Sequence, residues 1–315
     1  MEDVTSLRRP DDRGQLILVT GLAVAVVLVA LVLLLNTVIY TENLATRGAD
    51  VGGRDAVEFE NAALSGVGGV VVTENAADHG TAEAATENVS EGVGRYADLL
   101  ERGYLERATV AELSNLSVAE GVTLRHGNET RTFTSASDAE NWTLSTTVGE
   151  GELRRFRVDA ARDRLASSSS RSFRIVLNDG DDVWRVFVYR EGEDIVVAAD
   201  AGGTPTKACS VTGDRATFDL TDESLDGGAC SFDFAEGIDD PYSVEYRYGG
   251  AVNGTYSLVV NTSGGANVAD SNFAPGPDSS PYASAAVYSA TFDLHYRTPR
   301  LTYAERLRVA PGESE

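Results

Sequence analysis

At 315 residues, 42% of them hydrophobic, the chain is long enough for two ordinary domains and apolar enough to bury a core, which excludes a disordered polypeptide. Its 49 acidic residues against 26 basic ones give a formal net charge of −23, which argues against nucleic acid as a partner, because phosphate backbones are gripped by clustered Lys and Arg. Two cysteines and three histidines (His79, His126 and His295), none at ligand spacing, leave little from which to build a transition-metal site, and no metal or cofactor is expected.

A polar leader, residues 1–14, opens the chain. From Gly14 to Thr41 no residue is charged, and Leu22 to Leu35 is unbroken apolar sequence. A helix rising ~1.5 Å per residue crosses the ~30 Å hydrocarbon layer in about 20 residues, so one transmembrane helix is expected over residues 15–41. Tyr40 stands where an interfacial aromatic belongs. Arg8, Arg9 and Arg13 lie close before the run, whereas Arg47 and Arg54 follow at a greater distance. The positive-inside rule then places the N-terminus in the cytoplasm and the remainder outside the cell.

The junction carries the most specific signal. Arg13-Gly14-Gln15-Leu16, set against the apolar run after a short charged leader, resembles the class III signal of archaeal type IV pilins and pseudopilin-like proteins. The resemblance implies that a prepilin peptidase cuts between Gly14 and Gln15. The apolar helix is then kept, first as an anchor in membrane lipid and later as a filament core packed on other pilin-like subunits. Val19 occupies the fifth mature position, where many bacterial pilins carry glutamate; archaeal relatives often lack it. A mature chain running from Gln15 to Glu315 is large for a major pilin, which favours a minor subunit. The alternative is an uncleaved signal anchor bearing an extracellular binding or cell-envelope module that does not assemble. The acidic excess, with Lys207 the one lysine, also resembles haloarchaeal proteins, whose carboxylate surfaces stay soluble where salt screens self-repulsion.

Residues 42–110 read as a helical neck. Gly52-Gly53 and Gly66-x-Gly68-Gly69 are expected breaks. Thr81 to Arg107 has helical period through Ala85, Val89, Val93, Tyr96 and Leu100, although Gly92 and Gly94 each weaken it by about 1 kcal/mol relative to alanine. Over residues 118–315 the period becomes two. Tyr288, Ala290, Phe292, Leu294 and Tyr296 form one face, with His295 on the opposite, solvated one. Asn253-Gly254, between the runs Tyr242–Tyr248 and Tyr256–Val260, predicts a hairpin. Other strands are expected at Phe173–Leu177, Trp184–Tyr189, Ile195–Ala199, Phe232–Phe234 and Leu301–Val309. The expected class is α+β: a transmembrane helix, a helical neck and an antiparallel sheet or sandwich head outside the cell.

Six Asn-x-Ser/Thr sequons, at Asn88, Asn115, Asn128, Asn141, Asn253 and Asn261, all follow the apolar run. Chance gives roughly two in such a composition, so they fit a glycosylated exterior. If that part is extracellular, Cys209 and Cys230 are free to form a disulfide worth about 3 kcal/mol; the alternative is a pair of buried free thiols. The segment Asn178-Asp179-Gly180-Asp181-Asp182 offers oxygens for Ca²⁺ but sits between two strand-like runs, as a hairpin turn would. Walker A, Gly-x-Ser-x-Gly and His-Glu-x-x-His motifs are all missing, and no catalytic residue is assigned.

Overall fold

The computed structural model describes residues 53–312. The leader 1–14, the junction and the expected transmembrane helix over 15–41 lie outside them. Among the described residues no helix is long and apolar enough to cross a membrane. Two compact units divide the chain, one formed by Met1–Glu58 with Thr298–Leu301, the other by Phe59–Arg297 with Thr302–Glu315. In the first, the described parts are the helical residues 53–58 and a turn in which the Thr298 hydroxyl oxygen accepts from the N–H of Leu301 at 3.0 Å. The second unit holds everything that follows from Phe59 on.

Helix α1 (residues 53–75) buries Phe59, Ala63, Val67 and Val71 at every fourth position. Helix α2 (Ala82–Leu105) is capped by the Thr81 hydroxyl, which accepts from the Ala84 N–H at 3.2 Å. Its buried stripe runs through Ala85, Val89, Val93, Ala97 and Tyr104, and the expected Tyr96 and Leu100 are half-buried at its border.

The expected break at Gly66–Gly69 does not occur. A Cβ at Gly66 would come within 2.0 Å of the Tyr96 ring, and one at Gly92 within 2.7 Å of a Val70 methyl. These glycines therefore serve close antiparallel packing of α1 on α2 rather than interruption. Tyr96 completes the contact by donating its hydroxyl to the Ala62 carbonyl at 2.7 Å.

The strands are β1 (Val110–His126), β2 (Trp142–Val148), β3 (Leu153–Ala161), β4 (Phe173–Asn178), β5 (Val183–Glu191), β6 (Asp194–Asp200), β7 (Thr206–Thr212) and β8 (Arg215–Asp219). After them come β9 (Ser224–Leu225), β10 (Gly228–Ala229), β11 (Tyr242–Arg247), β12 (Gly254–Asn261), β13 (Asn267–Val268), β14 (Tyr282–Arg297) and β15 (Thr302–Val309). Eight of them form a sheet in the order β10-β9-β8-β3-β12-β1-β14-β15, and seven a second in the order β13-β2-β11-β4-β5-β6-β7.

The described chain is thus mostly β, and the expected α+β class is corrected. Two antiparallel sheets dominate, and the helical contribution among the described residues is α1, α2 and short 3-10 turns. Sheet structure also begins earlier than expected, at Val110 rather than residue 118.

Alternate side chains from both sheets meet in one core, with the Tyr246 ring 5.0 Å from Phe173 and 5.1 Å from Tyr256. The other face of the eight-stranded sheet packs on the helices, where Tyr296 lies 5.8 Å from Phe59 and 6.1 Å from Tyr104. The predicted apolar face of β14 is buried throughout and His295 is exposed.

The Asn253-Gly254 hairpin is overturned. β11 pairs with β2 and β4, whereas β12 pairs with β1 and β3, so this dipeptide crosses between sheets. Gly254 is required there for another reason: its φ is +144°, and a Cβ would lie 1.9 Å from the Asp159 carbonyl oxygen. The expected strand at Phe232–Phe234 is irregular, with Phe232 buried 6.3 Å from Trp184.

Candidate functional site

Of the residues singled out in the sequence, Arg13, Gly14 and Gln15 lie outside the described residues. Asn88, Asn115, Asn128 and Asn141 are exposed. Asn88 is on α2, and Asn115 sits at a register slip of β1, where its φ is +53° and its amide donates to Asp293 at 2.8 Å. The Asn128 side-chain oxygen accepts from both the N–H and the hydroxyl of Thr130, the third residue of its own sequon. Asn253 and Asn261 are half-buried. The Asn253 amide donates to the Glu129 carbonyl at 3.2 Å, which brings it beside the Asn128 segment.

Cys209 and Cys230 are joined, with Cα atoms 5.6 Å apart. Cys209 lies on β7, at one edge of the seven-stranded sheet, and Cys230 directly follows β10, at one edge of the eight-stranded sheet. The bridge therefore fastens the two sheets at their margins.

The acidic segment is the β4–β5 turn. Asp179 accepts the N–H groups of Asp182 at 2.7 Å, Asp181 at 2.8 Å and Asp239 at 2.9 Å, and these donors hold its carboxyl below the usual range. Its oxygens cap a turn. Among the described residues no group of His, Cys, Asp or Glu is placed to hold a metal ion.

One constellation escaped the sequence reading. Beside the end of α1, a cleft of about 220 Å³ is lined by Arg125, Arg154, Arg155 and Arg157, and none of its described lining residues is acidic. Two steps along β12, Ser257 to Val259, face three along β3, Arg157 to Arg154. This bulge carries Arg155 into the left-handed region at φ +51° and turns the neighbouring arginines toward the same face.

Arg154 is 1% exposed, donates to the Val287 carbonyl at 3.0 Å, and holds its guanidinium 4.6 Å from the centre of the Tyr288 ring. Arg125 is braced by Asp78 at 3.0 Å and the Asn75 carbonyl at 2.8 Å. Arg157 faces Asp219 at 3.6 Å. Thr123 on β1 is 3% exposed, and its hydroxyl has no hydrogen-bond partner among the described residues. The signal available in the sequence was Arg154-Arg155-Phe156-Arg157, three guanidinium groups in four residues of a strongly acidic chain.

A comparison with curated proteins finds no match. A family model described as "Family of unknown function (DUF7261)" matches residues 10–172, a stretch that takes in the Arg-Gly junction, the apolar run, both helices and β1 to β3. That match covers more than half of the chain, and the chain belongs to this family.

Proposed function

We propose that this is a pilin-like surface protein, held in the cell membrane by the apolar run Leu16 to Tyr40, with its N-terminus cytoplasmic and its β-rich part outside. The observation that carries the reading is Arg13-Gly14-Gln15 set directly against an uncharged run of membrane-spanning length. On this reading the prepilin peptidase releases residues 1–14. Its work is contact and assembly, as a minor subunit of a type IV pilus-like filament, rather than catalysis. Three features support it. The family match spans residues 10–172, so the junction, the apolar run and the first part of the head fall within one stretch. Four sequons stand exposed after the apolar run, one on α2 and three in the β-rich part. The Cys209–Cys230 bridge suits an oxidising exterior. Val19, in place of a glutamate, removes a sequence sign of assembly, and the second reading is an anchored extracellular module that neither loses its leader nor assembles.

Mass spectrometry of the mature N-terminus separates the two. A chain beginning at Gln15, and no longer so processed when the prepilin peptidase is deleted, supports the pilin-like reading. A chain beginning near Met1 supports the plain anchor. Recovery as a freely soluble cytosolic species sinks both.

A further inference from the structure

We propose that Asn141 carries a sugar whose first ring stacks on the exposed face of Tyr248, so that this glycan is part of the folded surface rather than a pendant chain. The inference rests on the reading that places the β-rich part outside the cell, and on neither cleavage nor assembly.

Asn141 opens the sequon Asn141-Trp142-Thr143, directly before and into β2. Trp142 is buried and donates its indole N–H to the Phe133 carbonyl at 2.9 Å, which by strand alternation turns its neighbour Asn141 outward. The segment is tied to Tyr248 and Gly249 by two bonds. The Glu140 carbonyl accepts the Gly249 N–H at 2.9 Å, and the Asn141 side-chain oxygen accepts the Tyr248 N–H at 3.0 Å. With that oxygen held, the atom left pointing outward is the amide nitrogen, to which a sugar is joined.

Tyr248 departs from the pattern of its strand. Tyr242, Val244 and Tyr246 of β11 alternate into the core, and the same alternation would send Tyr248 inward. Its backbone is left-handed instead, at φ +55°, a conformation bulky residues rarely adopt. The ring is thereby delivered to the outer face, where the Arg174 guanidinium lies 4.8 Å from its centre. At 38% exposure it is the one aromatic among the large hydrophobic side chains that stand exposed among the described residues. Arg174 covers one face, so the exposed surface belongs to the other face and the rim. A pyranose offers a flat patch of C–H groups that suits the electron-rich face of an aromatic ring, while its hydroxyls stay in water.

Attachment needs an activated donor, a sugar carried on a lipid phosphate. The Asn141 nitrogen forms a bond to the anomeric carbon and gives up a proton. The bond from that carbon to the phosphate oxygen breaks, and the phosphate leaves with the electron pair.

The test uses the full glycosylated chain in detergent. Glycopeptide mass spectrometry should find sugar at Asn141. Thr143→Val ends the sequon while leaving Asn141 and Tyr248 in place. Tyr248→Ala should lower Tm by about 2–4 °C more in the sugar-bearing chain than in the Thr143→Val background, as expected for one lost stacking contact in a chain of this size. The contact with Arg174 is lost in both backgrounds and cancels. Tyr248→Phe keeps the ring and should keep the wild-type behaviour. Should Tyr248→Ala not fold, Tyr248→Leu, bulky but without a ring, takes its place in the cycle. An equal Tyr248 effect with and without the sugar, or a bare Asn141 on a head that protease reaches from outside intact cells, overturns the inference alone. A head that such protease cannot reach overturns it together with the exterior placement.

Discussion

Asn75, in the last turn of α1, grips the backbone of Val287 on β14 from both sides: its amide nitrogen donates to the Val287 carbonyl at 2.8 Å, and its oxygen accepts the Val287 N–H at 2.8 Å. The β1–β14 register slips at this point, between Ala119 opposite Ser289 and Glu120 opposite Val287. A side chain thus supplies bonds that the ladder drops. Asn75→Ala strands the buried Val287 N–H, while the carbonyl keeps its bond from Arg154 at 3.0 Å, and is expected to cost about 1–3 kcal/mol in denaturant unfolding.

Gly66 and Gly94 should respond oppositely to the same substitution. Gly94→Ala meets nothing within 4 Å and should stabilise by about 1 kcal/mol through helix propensity. Gly66→Ala drives a methyl into the Tyr96 ring and should destabilise by about 1–3 kcal/mol. Parallel melts of the two variants check the sign.

Replacing both Cys209 and Cys230 by alanine opens a cross-link with a sequence separation of 21 residues. The expected loss is about 3 kcal/mol from the freed unfolded chain. A reductant should lower the wild-type Tm and leave that of the double variant unchanged.

His126 closes β1 with no exposed surface, stacked 5.4 Å from Tyr256, and burial pushes its imidazole below the ordinary range. The folded state therefore favours the neutral ring, while the unfolded chain takes up its proton near pH 6.5. The stability that this group contributes is complete above about pH 6.5 and declines as the pH falls toward the lowered folded value. Melts between pH 7.5 and 5.5 should show the decline, and His126→Gln should flatten it.

Among the sequons, exposure separates four from two. Glycopeptide mass spectrometry should find sugar at one or more of the exposed Asn88, Asn115, Asn128 and Asn141, and none at the half-buried Asn253. Sugar at Asn253 in the folded protein would show that this segment opens.

Local periodicity was legible wherever burial is one-sided. The face Tyr288 to Tyr296 and the stripe from Ala85 to Val93 follow directly from alternation and from helical spacing. Residues with two possible uses misled. Gly66 signals a break by propensity, but here it makes room for Tyr96. Asn253-Gly254 has turn chemistry, yet Gly254 answers to the Asp159 backbone and the chain changes sheets. The arginine cleft was hidden because a bulge at Arg155 redirects side chains that strict alternation would send to opposite faces.

Strand order carries a consequence for how the two halves of the chain depend on each other. The stretch shared with relatives contains β1, β2 and β3, and no two of these are neighbours in either sheet. β1 lies between β12 and β14, β3 between β8 and β12, and β2 between β11 and β13. Half the molecule is thus a comb whose gaps are filled by the other half. In this chain the strands past residue 172 supply every tooth that fills those gaps, so the C-terminal half is an obligate complement rather than an appendage.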